Sequence, residues 1–197
     1  MTNDTETLNV YAEKADEYHK MVQKEDKSPQ LAAFIGGLPK GAHVLDLGCG
    51  PGVSAAAMVR AGLTVDATDA VAEMVTLAAK HPGVSARQAR FEEVDGINLY
   101  DGIWANFSLL HAPKADMPGH LARLRKALKP GGLFHIGMKT GEGEHRDSIG
   151  RFYAYYTQDE LCDLLKDADL MPFSSVTGSE PGLSGEEAPW VCIAAHG

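Results

Sequence analysis

Three glycines at alternate positions, Gly48, Gly50 and Gly52, close the run VLDLGCGPG at residues 44–52, with Asp46 two residues ahead of them. Glycine is entropically costly to order, so this density marks a turn that needs positive φ or close approach of backbone to a ligand. A second acid, Asp69, follows LTVDAT about twenty residues further on. That spacing is the pattern of a nucleotide-type site, in which the turn admits the ligand's edge and the carboxylate accepts from both ribose hydroxyls. Val53 stands where the nicotinamide fingerprint G-x-G-x-x-G wants a third glycine, and no Lys-Ser/Thr pair follows the loop as in a nucleoside-triphosphate site. Asp46 would repel a pyrophosphate and help hold a cationic amino group. The pattern therefore points to a nucleoside-like ligand without phosphates.

These residues need an open α/β sheet to position them. Short apolar runs at residues 43–47, 63–68, 84–88, 100–106 and 133–138 read as strands, with helical stretches at 54–61, 71–80 and about 114–128 between them. Strands alternating with helices imply βαβ units and a mainly parallel sheet covered on both faces. Thr157 to Glu160 has capping-box spacing and opens a further helix. The tail supplies two strand candidates, at 172–178 and 190–196, with no helix between them, so they are expected to pair antiparallel. Near the N-terminus Leu8, Tyr11, Ala15, Tyr18 and Val22 recur at steps of three and four, the stripe of one amphipathic helix. Ser28-Pro29 reads as the cap of a second helix that stops at Gly36-Gly37. The first turn, with its three glycines, then lies at the carboxyl ends of the strands, where ligands bind in such sheets.

The bulk numbers limit what else the chain does. The length of 197 residues suits a single domain with its own core, divided here into a helical extension or lid over residues 1–40 and the sheet domain over 41–197. A net charge of −9 argues against a nucleic-acid partner, and the basic group Arg123, Arg125, Lys126 and Lys129 complements a helix terminus. Three separated cysteines without a CxxC pair fit a reducing compartment and neither a disulfide framework nor a zinc site. No signal-peptide core or membrane-length apolar run is present. The expectation is a cytoplasmic protein, monomer or homodimer, with a small-molecule substrate and neither nucleic-acid nor membrane partner.

VLDLGCGPG, then VDATD, then LRKALKPGGLFHIGM together resemble the class I S-adenosylmethionine-dependent methyltransferases, over about residues 44–138. The resemblance implies an α/β, Rossmann-like, seven-stranded, mainly parallel sheet whose last strand is antiparallel, with S-adenosylmethionine across the carboxyl ends of the first strands. It assigns the loop glycines to Gly48, Gly50 and Gly52 with Asp46 before them, and the ribose acid to Asp69 with Ala70 beside it. Asp69→Ala is then expected to weaken cofactor binding and leave the fold intact. Ala89, Arg90 and Phe91 stand in the adenine region, where this chain lacks the acid common in relatives. Asn106 and Phe107 stand where relatives contact the methionine moiety. Tyr11-x3-Ala15-x2-Tyr18 matches a helix that covers the cofactor, so Tyr11 and Tyr18 are expected to close the site. The rivals are a nicotinamide oxidoreductase, disfavoured by Val53, and a non-catalytic S-adenosylmethionine-binding module.

Methyl transfer from a sulfonium needs alignment and exclusion of water more than a fixed catalytic set. Asn106-Phe107-Ser108-Leu109 lacks the prolines of amino-methylating enzymes of adenine or glutamine, no cysteine stands where a cytosine-C5 enzyme keeps its nucleophile, and no acid cluster has metal-ligand spacing. Two stretches remain for the acceptor. His111, past the fourth strand, reads either as a general base or as a histidine satisfying a backbone carbonyl. The segment 139–156 is long, polar and glycine-rich, and reads either as a pocket wall or as tyrosines packed over the sheet edge. It brings His145, Arg146, Arg151, Tyr153, Tyr155 and Tyr156, with Tyr153 the second candidate catalytic group beside His111. His135, inside a strand, reads as a core histidine.

Overall fold

The structure is a computed structural model that describes residues 4–23 and 25–197. Five strands run parallel: β1 (His43–Leu47), β2 (Thr64–Asp69), β3 (Ser85–Gln88), β4 (Tyr100–Asn106) and β5 (Leu128–Lys139). The tail folds back as β8 (Met171–Pro181) and β9 (Glu187–His196), and the sheet order is β3-β2-β1-β4-β5-β9-β8. β9 runs antiparallel to both β5 and β8, as the missing crossover helix requires. Reversal of strand order beside β1 and β4 opens the crevice at their carboxyl ends. A separate two-stranded antiparallel sheet, β6 (Glu144–Arg146) and β7 (Phe152–Ala154), organises the connection after β5. Each apolar strand alternates between two cores. Leu45, Leu47, Ile103, Ala105 and Ile136 face α6 (Met117–Ala127) and α7 (Gln158–Asp167). Val44, Val65, Ala67 and Trp104 face α3 (Pro29–Gly36) and α4 (Val53–Arg60). Fully burying one such aliphatic side chain contributes roughly 1.5–3 kcal/mol, so the two cores hold the sheet rigid beneath the site.

The helix signals act as written in the chain. Ser28 Oγ accepts from Leu31 N to start α3, and Thr157 and Glu160 form a reciprocal capping box for α7. Between β2 and β3 lies α5 (Ala72–Ala78). Two expectations change. The N-terminal stripe is carried by two helices, α1 (Thr5–Glu13) and α2 (Ala15–Val22), because Lys14 leaves helical geometry at φ −104°, ψ 18°. The strand expected at 133–138 begins at Leu128: Tyr100 pairs with Leu128 and Gly102 with Leu133, and Lys-Pro-Gly-Gly bulges out between them. Among the described residues no helix is long and apolar enough to cross a membrane.

Candidate functional site

β1 delivers Asp46 and the glycine turn to the crevice, and β2 delivers Asp69 beside them. Gly48, Gly50 and Gly52 all have positive φ, at 70°, 51° and 80°. Their reasons differ. A Cβ on Gly48 would fall on Ser108 Cβ, where the loops after β1 and β4 touch. A Cβ on Gly52 would lie 2.8 Å from Ala78, where α4 meets α5. Gly50 alone faces the N-terminal helices, 3.3 Å from Tyr18 Cε1. Two of the three glycines thus serve packing of the chain against itself, and one serves the open side. Asp69 is 1% exposed; its two oxygens accept from Gly50 N and Val71 N, each at 2.9 Å. Burial pushes its pKa up, and the N–H groups of Val71 and Gly50 pull it back. A carboxylate has about four acceptor positions, so two remain for hydroxyl groups. Ser108 Oγ and Thr68 Oγ1 are buried without hydrogen-bond partners among the described residues, beside the same turn. Such groups suit a polar ligand such as a nucleoside. Ala89 N donates to Asp69 O at 2.9 Å, and Gln88 donates to Ala70 O at 2.8 Å, which joins the ends of β2 and β3. Phe91 is 2% exposed and packs in the core beside His120, and Arg90 is exposed.

Asn106 ends β4, and its Oδ1 accepts from His135 Nε2 at 3.1 Å. His135 is buried and stacks on Trp104 at 3.7 Å, as a core histidine does. Phe107 takes φ 52°, an outlier for an aromatic residue, and its N–H is held by Gly137 O at 2.9 Å. That twist turns the ring into the cleft, edge-on to Trp190 at 6.2 Å.

Beyond Phe107 lies a cavity of about 90 Å³ walled by Tyr11, Lys139, Arg151, Tyr153 and Trp190. It shares Phe107 and Trp190 with a neighbouring cleft of about 530 Å³, which extends to Asn106 and Val22. A chain of buried groups fixes this wall. Asp147 Oδ2 accepts from Arg151 Nη2 at 2.7 Å and Nε at 2.9 Å, and Arg151 Nη1 donates to Tyr11 OH at 2.9 Å. Tyr11 OH lies 2.9 Å from His111 Nε2, whose Nδ1 lies 2.6 Å from Phe152 O. The carbonyl only accepts, so His111 carries its proton on Nδ1 and receives the Tyr11 hydroxyl at Nε2. The imidazole satisfies a backbone carbonyl and reaches the cavity through Tyr11. Burial raises the pKa of Tyr11 and of Tyr153, so both are neutral hydroxyls.

Burial likewise pushes His111 down to about 3 and His135 down to about 3. Both folded values lie below the unfolded value of about 6.5, so unfolding takes up protons between those limits. Stability is therefore full above that window and falls as the pH drops through it. The expected loss between pH 7 and pH 5 is on the order of 2 kcal/mol per histidine. Arg146 holds Asp4 below the usual carboxylate range, so its contribution is lost only below about pH 4, whereas the raised Asp69 offsets part of the histidine loss as the pH falls. Urea unfolding at the two pH values measures the drop, and His135→Gln should roughly halve it; equal stability at both pH values would refute the neutral assignment.

Sequence-predicted residues separate into two groups. Tyr11, Tyr18, Phe107, Arg151 and Tyr153 converge on the cavity. His145 and Arg146 are exposed: His145 stacks on Tyr155 at 4.2 Å, and Arg146 forks onto Asp4 at 2.7 and 2.9 Å. Together with Phe152 N donating to Thr7 Oγ1 at 2.8 Å, this ties α1 to the β6–β7 unit. Lys139 and Trp190 also wall the cavity and were not singled out from sequence. Antiparallel pairing of β5 with β9 sets them opposite each other, and a strand-ending lysine followed by a polar excursion was the available signal.

Residues 44–132 match the family model described as a methyltransferase domain. Over 105 residues the chain is 34% identical to a ubiquinone biosynthesis O-methyltransferase of Xanthomonas axonopodis pv. citri (strain 306), covering 50% of this chain and 43% of that relative. The chain thus matches less than half the length of that curated relative. The crystal structure of Burkholderia thailandensis 1,6-didemethyltoxoflavin-N1-methyltransferase, with 1,6-didemethyltoxoflavin and S-adenosylhomocysteine bound, superposes with a TM-score of 0.76. That comparison has 25% identity and covers 100% of this chain and 91% of that one. A Methanosarcina mazei S-adenosylmethionine-dependent methyltransferase shares the fold, with a TM-score of 0.75 at 18% identity over 86% of this chain and 97% of that one.

Proposed function

We propose that this chain, which belongs to the class I S-adenosylmethionine-dependent methyltransferases, methylates a small-molecule acceptor by in-line displacement. The observation that carries the proposal is the adjacency of two differently built spaces. The glycine turn with Asp46 lines one, backed by the buried Asp69, and the aromatic cavity of Tyr11, Tyr153 and Trp190 forms the other, with Tyr18 walling both. S-adenosylmethionine, when bound, supplies a methyl group on an activated sulfonium. Asp69 would accept from the ribose hydroxyls, with Gly48, Gly50 and Gly52 bounding the turn and Asp46 facing the amino group. Ala70, Ala89, Arg90 and Phe91 would border the adenine, and Asn106 and Phe107 the methionine moiety. Tyr11 and Tyr18, on α1 and α2, would act as a lid that excludes water. Tyr153 touches the acceptor cavity, whereas His111 acts through Tyr11 as a positioning residue. A walled acceptor cavity favours an enzyme over a binding module, because a module has no need of one.

The test is calorimetric titration with S-adenosylmethionine and S-adenosylhomocysteine, followed by a screen of small hydroxy- and amino-ring compounds for S-adenosylhomocysteine release. Absence of binding at hundreds of micromolar would sink the cofactor assignment, and binding without turnover on any compound would favour the module.

A further inference from the structure

The cavity wall holds two donors that make no hydrogen bond among the described residues. Lys139 is half-buried, and among the described residues its ammonium makes no hydrogen bond or ion pair; it sits 4.1 Å over the Tyr153 ring. Trp190 Nε1 is buried and has no acceptor among the described residues. The two residues are directly opposed in the β5–β9 ladder, which turns both side chains to the same face of the sheet. No neighbouring acid forms an ion pair with Lys139 among the described residues. Arg151 is the other cation in the wall, but Asp147 neutralises it at 2.7 Å. Glu180 stands exposed at the rim and Glu186 takes a hydrogen bond from Ser184 Oγ at 3.2 Å; neither pairs with Lys139. Burial and the Arg151 charge lower the Lys139 pKa, against the weaker through-space pull of Asp147 and Glu186. An unpaired half-buried charge and an unpaired buried N–H are each costly, and one anionic oxygen group placed between them would relieve both.

We infer that Lys139 and Trp190 form an anion receptor, and that the methyl acceptor is a ring compound bearing a carboxylate or phenolate oxygen docked on this pair. This rests on the proposed function in taking the cavity as the acceptor site. Phe107 supplies flat apolar surface for the ring, and the lysine and indole supply the charge and the directed donor. An uncharged analogue of the same shape leaves both donors unpaired and binds more weakly.

The probes are 4-hydroxybenzoate, 4-nitrophenolate and the neutral 4-hydroxybenzamide, titrated calorimetrically into the protein saturated with S-adenosylhomocysteine. At least one anionic probe is expected to bind about tenfold tighter than the amide. Which of the two does so separates carboxylate from phenolate recognition. Lys139→Met keeps the alkyl stem and should abolish the preference, Lys139→Arg should retain most of it, and Trp190→Phe should lower it several-fold, all with S-adenosylhomocysteine affinity unchanged. The amide binding as tightly as both anions, a preference that survives Lys139→Met, or no anionic probe binding at all would each overturn the receptor. If S-adenosylhomocysteine itself fails to bind, the cofactor reading falls, and the same titrations on the cofactor-free protein still decide the receptor.

Discussion

Asp69→Asn is expected to lower affinity for S-adenosylhomocysteine by about 100-fold, close to 2.7 kcal/mol, with the protein still folded. The carboxylate uses one lone pair on each oxygen for Gly50 N and Val71 N, which leaves the others for ribose hydroxyls. An amide keeps one acceptor oxygen and turns an N–H₂ toward a backbone N–H, so it loses the ribose contacts and disturbs the turn on one side only. Asp69→Ala does more than the sequence implies. It removes the acceptor of both N–H groups at a site that is 1% exposed, and each buried orphan donor costs roughly 1–3 kcal/mol. The alanine variant should therefore lose stability as well as affinity, so its affinity alone would misreport the ribose contact. Calorimetric titration beside thermal unfolding separates the two effects. Undiminished affinity in the asparagine variant would remove Asp69 from the site.

That correction illustrates which parts of the molecule local sequence carries. β1, β4 and the caps of α3 and α7 follow from apolar runs, glycines and short side-chain hydrogen bonds that neighbours in the chain decide. The glycine turn was legible for the same reason, although two of its glycines answer to Ser108 and Ala78 and only Gly50 faces the lid. The break between α1 and α2 was hidden because the apolar stripe continues across Lys14 while the backbone turns. The acceptor wall was hidden more deeply. Glu144–Arg146 and Phe152–Ala154 pair only because α1 and the Asp147–Arg151 bridge fix their separation, and no two-residue alternation announces so short a ladder. Lys139 and Trp190 meet through an antiparallel register set by the hairpin, a pairing across some fifty residues that no local pattern encodes. Arg146 and His145 share the segment with Arg151 yet point elsewhere, because alternation along β6 and the pull of Asp4 decide their directions.

Arg151 carries the second large expected effect. Its side chain and that of Asp147 are 2% and 3% exposed, and the guanidinium spans from Asp147 to Tyr11. Replacing a buried ion pair by apolar groups is often neutral, whereas removing one partner strands the other charge and costs about 3–5 kcal/mol. Arg151→Met should thus be strongly destabilising, lowering the melting temperature by roughly 6–20 °C for a chain of this size. The double variant Arg151→Met with Asp147→Asn removes the stranded charge and keeps Asp147's Oδ1 position as an acceptor for Ile149 N and Arg151 N. It should recover a good part of the loss, and the non-additivity measures the bridge. Function should follow a different order. Both variants leave Tyr11 without the Arg151 donor, so α1 loses one of its ties to β7 and the double variant regains stability without regaining turnover. The exposed fork of Arg146 on Asp4 holds the same helix at its start, but solvent and salt screen it. Raising ionic strength should therefore weaken the Arg146 tie and leave the Arg151 tie intact. Equal stability of the single and double variants would mean that Asp147 is not stranded when Arg151 is lost. In that case the bridge is a passenger of the β6–β7 fold.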